Sequence, residues 1–284
     1  MNKEEQNSIK CDLSPVQSLL CGFGGIIVPR TLLAPMESIK LMRALYGKNV
    51  YSHFKDQINN EGFVSLWHGY SCDWIRIPIQ SICRYLLYNQ IRSSTTLKVS
   101  IPIADNISAA LSSAMLHPIE VIHTLMVSNP GKYQTIAHTA AYLIKNDGFT
   151  GFFRGLTPTL LGYIPNRSVQ LASYYILQKY PIKPTMGYDF LIGSAITTIA
   201  HAASYPFEVA RRRMMADESV RNMNFVDVWK DTVRTRGITG LYSGFGFSML
   251  RVLPITWLQR VATRELRTFL TRFNYHMELH KFEL

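Results

Sequence analysis

The chain has 284 residues, 47% of them hydrophobic and only 17% charged, and 30 Lys+Arg against 19 Asp+Glu leave a formal charge of +11. That composition excludes intrinsic disorder, and four cysteines with no CxxC exclude a disulfide scaffold or a zinc site. A basic, apolar chain punctuated by Gly and Pro reads as a membrane protein that handles anions. Nucleic acid is not an expected partner, because the basic residues are dispersed and match no known module spacing.

In chain order, the opening MNKEEQNSIK lacks the apolar core of a secretory signal. Its two acids make it a poor cleavable mitochondrial presequence as well. Six apolar stretches follow: Leu13 to Met36, Tyr70 to Ile91, Ile101 to Val127, Thr157 to Tyr180, Tyr188 to Ala210 and Phe245 to Leu270. A bilayer core of roughly 30 Å needs about 20 helical residues, and each stretch has that length. Polar and charged residues interrupt several of them, so the mean hydropathy is only +0.03. One face of such helices must line a polar interior. The competing picture, a soluble bundle of six buried helices, would need long apolar helices joined by short glycine-rich connections. The predicted fold class is therefore an all-α membrane protein with six transmembrane helices, both termini on one side.

Internal repetition organises these stretches. Gly62 and Gly69, Gly148 and Gly155, and Gly237 and Gly244 recur at separations of 86 and 89 residues. Pro35, Pro118 and Pro206 recur at 83 and 88. Arg76, Gly162 and Arg251 each fall seven residues after the second glycine and so share one structural position. The chain divides into three repeats, 11–98, 99–185 and 186–274, each with two apolar stretches around a polar middle.

Each proline opens an acid–base pair three residues apart on one helical face: Glu37 and Lys40, Glu120 and His123, Glu208 and Arg211. Proline inside an apolar stretch is expected to kink the helix. Three kinked helices in pseudo-threefold symmetry would bring the acid of one repeat to the base of the next, closing one end of a central cavity. A surface pair at this spacing would contribute only a few tenths of a kcal/mol, whereas threefold recurrence favours the ring.

The pattern P-x-[DE]-x-x-[KR], followed by [DE]-G-x-x-x-x-[WYF]-[KR]-G and repeated three times, resembles the mitochondrial carrier family from about Leu13 to Leu270. The resemblance implies six helices in three pseudo-threefold repeats, each with a short matrix-side helix between its two spans. It also implies a multi-pass protein of the mitochondrion inner membrane that exchanges small anionic metabolites by alternating access, is not an enzyme, and needs no cofactor or metal. Carried over residue by residue, the matrix gate would pair Glu37 with His123, Glu120 with Arg211 and Glu208 with Lys40. Membrane lipid, cardiolipin at the glycine motifs, and a monomeric state are the expected associations. The chain departs from the family pattern at several places. His123 replaces a permanent cation, His68 and Ser243 replace the usual Lys/Arg of the glycine motif, and Arg236 replaces its acid. The family's second network, [YF]-[DE]-x-x-[KR], reads here Tyr88-Asn89 with Arg92, Tyr174-Tyr175 with Gln178, and Thr263-Arg264 with Arg267, with no acid at the motif's acidic position in any copy.

The resemblance also implies that Arg76, Gly162–Tyr163 and Arg251 read the substrate near mid-membrane. An arginine at that depth costs roughly 2.5–3.5 kcal/mol on insertion scales, so it marks function by default. Two of them suit a polyanion, because guanidinium clamps phosphate or carboxylate oxygens bidentately. Arg30, Arg84 and Arg167 are expected to line the same cavity, with a structural or snorkelling role as the alternative for Arg84 and Arg167. Gly162 and Tyr163 fit either a slot for a planar ring or a packing glycine beside a lipid-facing tyrosine. RTLLAP, PTLLGYIP and PFEVARRRMM are similar to carriers of ADP/ATP, of ATP-Mg/phosphate and of coenzyme A. No EF-hand pattern precedes the first repeat, which turns the expectation away from the calcium-regulated ATP-Mg/phosphate type. The expected cargo is an adenine nucleotide or coenzyme A. A smaller carboxylate or amino acid, and a non-transporting receptor or scaffold, stand as alternatives.

Overall fold

A computed structural model describes residues 14–46, 51, 55, 58–59, 62–93, 100–129, 131–179, 186–220 and 223–282. Its described residues form helices and short 3-10 turns: α1 (Pro15–Leu32), α2 (Ala34–Tyr46), α3 (Tyr70–Ser93), α4 (Ile101–Met115), α5 (His117–Ser128), α6 (Ile136–Asp147), α7 (Leu156–Lys179), α8 (Met186–Ala216), α9 (Phe225–Arg236) and α10 (Phe245–Phe282). The expected short helix between spans is α6 in the second repeat and α9 in the third. In the first repeat it lies largely outside the described residues, as do the expected repeat boundaries at 98–99 and 185.

The described residues form two compact parts, 14–33 with 254–282, and those within 34–253. In the first part, Ser14 and Gln17 form a reciprocal capping box that starts α1, with Pro15 in the first turn. Gln17 and Asn274 exchange side-chain hydrogen bonds at 2.7 and 2.9 Å. A Cβ on Gly25 would run into the Thr263 side chain, so a glycine sets the approach of α1 to α10.

In the second part, buried apolar side chains of α3, α5, α6, α8 and the 3-10 turn after α6 share one core that includes Cys72, Val121, Leu125, Met126, Leu143, Phe152 and Met215. Around it the glycine motifs repeat one construction. The first glycine ends α6 or α9 with a positive φ (63° at Gly148, 70° at Gly237), and a 3-10 turn follows. The second glycine, again with positive φ, packs on the base-bearing helix of the next repeat. A Cβ on Gly69 would lie 3.4 Å from the His123 carbonyl oxygen, on Gly155 3.0 Å from that of Arg211, and on Gly244 3.0 Å from that of Lys40. The sequence period thus becomes a cyclic set of backbone approaches that a side chain would obstruct.

The three prolines behave differently from one another. Leu33 N–H donates to Pro29 O (3.0 Å), closing α1, and Pro35 sits in the first turn of α2. Leu116 N–H donates to Ser112 O (3.2 Å), and α4 and α5 meet there at 61°, with Pro118 in the first turn of α5. Both prolines occupy a position where the missing N–H has no helical partner to lose. The expected mid-helix kink is therefore a helix start in these two repeats. In the third repeat α8 runs unbroken through Pro206. There Ser204 Oγ donates to the carbonyls of Ala200 and His201 (3.2 Å each), and Asn166 Nδ2 donates to that of Ala200 (3.2 Å).

Among the described residues no single helix is long and apolar enough by itself to cross a bilayer, while Ile103–Met115 and His117–Ser128 meet that test as a bent pair. Charge dilution accounts for much of this: α3 alone carries Asp73, Arg76, Arg84 and Arg92.

Candidate functional site: a buried ring of ion pairs

Four helices of the second part deliver charges to one place. α2 brings Glu37 and Lys40 from its first two turns, α3 brings Asp73 and Arg76, α5 brings Glu120, and α8 brings Glu208, Arg211 and Arg212. Arg251, early in α10, completes the set.

Arg211 is the hub. Its Nη1 lies 2.8 Å from Glu120 Oε1 and its Nη2 donates to Glu208 Oε2 at 2.6 Å. Lys40 Nζ lies 3.5 Å from Glu208 Oε1. Two of the three pairings implied by the family resemblance are thus in contact. Glu37, expected opposite His123, accepts a hydrogen bond from Arg251 Nη1 at 2.9 Å. His123 itself is buried on α5.

Two members of the ring, Asp73 and Arg212, and one residue beside it, His201, carried no role in the sequence reading. Asp73 accepts from Arg76 Nε (3.0 Å) and Nη2 (2.7 Å), and Arg76 Nη1 reaches within 3.9 Å of Glu120. Arg212 donates to Glu208 (3.1 Å) and to Thr124 Oγ1 (2.7 Å). His201 Nε2 meets Ser248 Oγ at 2.7 Å. Asp73 stands one helical turn before Arg76, the same spacing as in the proline motifs, and that was the available signal. Arg212 was visible within the Arg211–Arg213 run. The third arginine of that run faces elsewhere: Arg213 ties α8 to Asp217 (3.1 Å), Asp231 (3.0 Å) and Thr232 (2.8 Å).

A cavity of about 210 Å³ between α7 and α8 is bounded by Gly162, Tyr163, Asn166, His201, Phe207 and Arg211, among others. Gly162 lets the two helices close, since a Cβ there would lie 3.0 Å from Phe207 Cβ. The Tyr163 hydroxyl is hydrogen-bonded to Ser113, and the Arg167 guanidinium lies 5.8 Å from the Tyr163 ring centroid. Arg167 also donates to Gln170 at 2.9 Å. Arg84 is bound by both oxygens of Asp105 at 2.6 Å, with side chains 42% and 39% exposed. Arg30 lies in the last turn of α1, in the other part of the chain.

Outside the ring, polar contacts hold the loops. The Lys132 ammonium is kept above its ordinary value by its hydrogen bond to Glu218 at 2.9 Å. Burial alone would raise the Asp217 carboxyl, but hydrogen bonds from Ser219 and Arg213 outweigh it and hold that carboxyl below its ordinary 3.8. Among the described residues no cluster of His, Cys, Asp and Glu could hold a metal ion.

Chemically, the ring pairs cations with anions: carboxylates of the chain occupy the guanidinium groups of Arg76, Arg211, Arg212 and Arg251. The chain matches the family described as Mitochondrial carrier protein over residues 12–98, 103–185 and 182–274. It is 27% identical over 272 residues to the mitochondrial adenyl nucleotide antiporter SLC25A24 of Mus musculus, covering 88% of this chain and 57% of that protein. It is 28% identical over 275 residues to the calcium-binding mitochondrial carrier protein SCaMC-2-A of Danio rerio, covering 89% and 59%. The Homo sapiens SLC25A24 is 27% identical over 274 residues, covering 88% and 57%. The chain spans less than three-fifths of the length of these relatives. With three successive segments matched, and with proline and glycine motifs recurring at the same period, the protein belongs to the mitochondrial carrier family, proteins of the mitochondrion inner membrane.

Proposed function

We propose that the protein exchanges an anionic nucleotide-type metabolite, an adenine nucleotide or coenzyme A, by alternating access through six spans in three pseudo-threefold repeats. The observation that carries this reading is the placement of Arg76 and Arg251, symmetry-related by the repeat, in one ring with the proline-motif carboxylates. The cavity bounded by Gly162 and Tyr163 adjoins that ring through Arg211 and Glu208. Guanidinium groups would take the phosphates, and the cavity would take the flatter part of the cargo. Glu37, Lys40, Glu120, Glu208 and Arg211 act as the matrix-side gate, with Arg251 joining them and His123 contributing no permanent charge. The adenyl nucleotide antiporters among the relatives support the substrate class.

The third glycine motif borders a groove of about 820 Å³ lined by Arg43, Tyr46, Arg236, Thr239 and Tyr242, among others. Arg236 donates to the Ala44 carbonyl at 3.0 Å, which steadies this edge. An anionic phospholipid such as cardiolipin fits its basic rim, and the carrier works as a monomer.

The test is counter-exchange in liposomes. Purified protein should exchange external labelled ATP, ADP or coenzyme A for an internal nucleotide, and the Arg76→Ala/Arg251→Ala double variant should not. Exchange of nucleotides no faster than in that variant overturns the reading.

A further inference from the structure

Beyond the ring, polar side chains continue along one face of α3. Arg76, Gln80 and Arg84 are spaced by four and so share that face. Gln80 donates to Ser113 Oγ at 2.9 Å, and Arg84 binds Asp105 through Nε and Nη2, joining α3 to α4 at two levels. Ser113 also meets the Tyr163 hydroxyl on α7, and the Arg167 guanidinium stands 5.8 Å from that tyrosine's ring centroid. Charges at membrane depth face the interior of a bundle, which places Arg84 and Arg167 with the polar lining.

Arg167 is the less compensated of the two. Among the described residues no carboxylate stands within ion-pair distance of it, and its buried Nε has no partner. Gln170 Oε1 accepts from its Nη1 at 2.9 Å, and Gln170 Nε2 donates at 3.1 Å to Asn166 Oδ1, in the wall of the cavity beside Gly162 and Tyr163. Asp105 takes the Nε–Nη2 edge of Arg84 and leaves Nη1. The charges of Arg84 and Asp105 both bear on Arg167, so two guanidinium groups share this region with one carboxylate. Arg84 lies eight residues past Arg76, about 12 Å along α3, and Arg167 five residues past Gly162. The cavity thus has the ring's Arg211 at one end and, through Asn166 and Tyr163, Arg167 at the other.

We propose that Arg84 and Arg167 form a second phosphate subsite, which selects an adenine nucleotide carrying a separate phosphate on its ribose, such as the 3′-phosphate of coenzyme A. This rests on the nucleotide reading above. The phosphates of ADP or ATP form one contiguous run from the 5′ carbon, and a single cluster of cations serves them. A ribose 3′-phosphate departs from the other side of the sugar and needs cations of its own. With the base in the Gly162–Tyr163 cavity and the pyrophosphate at Arg76 and Arg251, that group falls towards Arg167, which offers it an uncommitted donor in Nε. Arg84 adds Nη1 while Asp105 steadies its side chain, and the contact with Tyr163 steadies Arg167. Guanidinium groups bind a phosphate dianion bidentately, so the subsite rewards the extra phosphate and not the base or the sugar.

The experiment compares ligands that differ by one phosphate, by thermal stabilisation of the detergent-purified full chain. Coenzyme A should half-stabilise the wild-type protein at a concentration about tenfold or more below that of dephospho-coenzyme A, the size of one charge-assisted hydrogen bond. Adenosine 3′,5′-bisphosphate should lead AMP by a similar ratio, which tests the subsite without the pantetheine arm and without any variant. Arg167→Gln and Arg84→Gln should bring the coenzyme A ratio towards one, and Arg167→Lys, which keeps the charge without the fork, should reduce it by less. Arg251→Gln should weaken both ligands and preserve the ratio. A wild-type ratio near one, a ratio unchanged in both Gln variants of the subsite, or one equally reduced in Arg251→Gln overturns the subsite; stabilisation by ADP then leaves the nucleotide reading standing. If neither ADP nor coenzyme A stabilises the wild-type chain, that reading fails, and the subsite with it.

Discussion

Arg76 and Arg84 lie eight residues apart on α3, and both were expected to line one cavity. Each makes a hydrogen-bonded ion pair with an aspartate, Asp73 and Asp105. Their surroundings differ. Asp73 is 1% exposed and Arg76 17%, whereas Asp105 and Arg84 keep about two-fifths of their side-chain surface in the open. The first pair is wired into Glu120, and through it to Arg211; the second joins α3 to α4 about two turns further along α3. The same chemistry is therefore a structural commitment at one end of the helix and a replaceable contact at the other. Burial, not residue type, decides which arginine carries weight.

The sharpest way to break this comparison is at Glu120. It sits 2.8 Å from Arg211 and 3.9 Å from both Arg76 and Arg212. Glu120→Gln leaves three guanidinium groups short of an anion in a buried place, which should cost about 3–5 kcal/mol, the range for halving an interior ion pair. Denaturant or thermal unfolding in detergent measures it. A loss below about 1 kcal/mol would mean that the ring is hydrated like the Arg84–Asp105 pair.

Next in size is a contrast between two glycines of one motif. Gly148 has φ 63° with open space where a Cβ would be; Gly155 has φ 75° with the Arg211 carbonyl 3.0 Å away. Gly148→Ala should cost about 1–2 kcal/mol for the backbone conformation alone. Gly155→Ala adds overpacking against α8, about 1–3 kcal/mol more, and should slow exchange because it pushes on the Arg211 backbone. Equal losses in the two variants would mean that the second glycine is not a packing point.

These glycines show what was legible in the sequence. Their spacing, and that of the prolines, announced three repeats, and the structure turns the spacing into cyclic backbone approaches. The proline motifs put an acid and a base on one face of each helix; the pairings of Glu120 with Arg211 and Glu208 with Lys40 came from the family resemblance, and those side chains are in contact. The partner of Glu37 was not legible, since it depends on which long side chain reaches it from α10. Asp73 escaped for a different reason: an acid inside an apolar stretch drew less notice than the arginine it binds. The unbroken course of α8 through Pro206 was not legible either, since the same residue type stands in the first turn of a helix in the other two repeats.

At the exposed end of α3 the expected effect is smaller. Asp105→Asn should change stability by less than about 1 kcal/mol, because both partners are well hydrated. If Arg84 also meets the passing anion, the same substitution frees its guanidinium and lowers the half-saturating nucleotide concentration for exchange, with stability nearly constant. A stability loss as large as that of Glu120→Gln would erase the distinction between the two ends.

The smallest effect is a pH dependence outside the ring. Asp217 accepts from Ser219 N (3.0 Å), Ser219 Oγ (2.6 Å) and Arg213 Nη2 (3.1 Å), and its carboxyl is held below 3.8 in the folded chain. A carboxyl with a lowered folded value binds fewer protons when folded, so its contribution is complete above the unfolded value and disappears as pH falls through the folded one. Asp217→Asn should therefore destabilise the protein by a constant amount from neutral pH down to about 4, and the gap should close below that. Because Asp217 is half-buried, solvent screening keeps the gap small. Paired unfolding measurements at pH 7 and near pH 3 check it. A gap that widens on acidification would mean that the carboxyl is raised by burial, and that Arg213 takes its compensation from Asp231 alone.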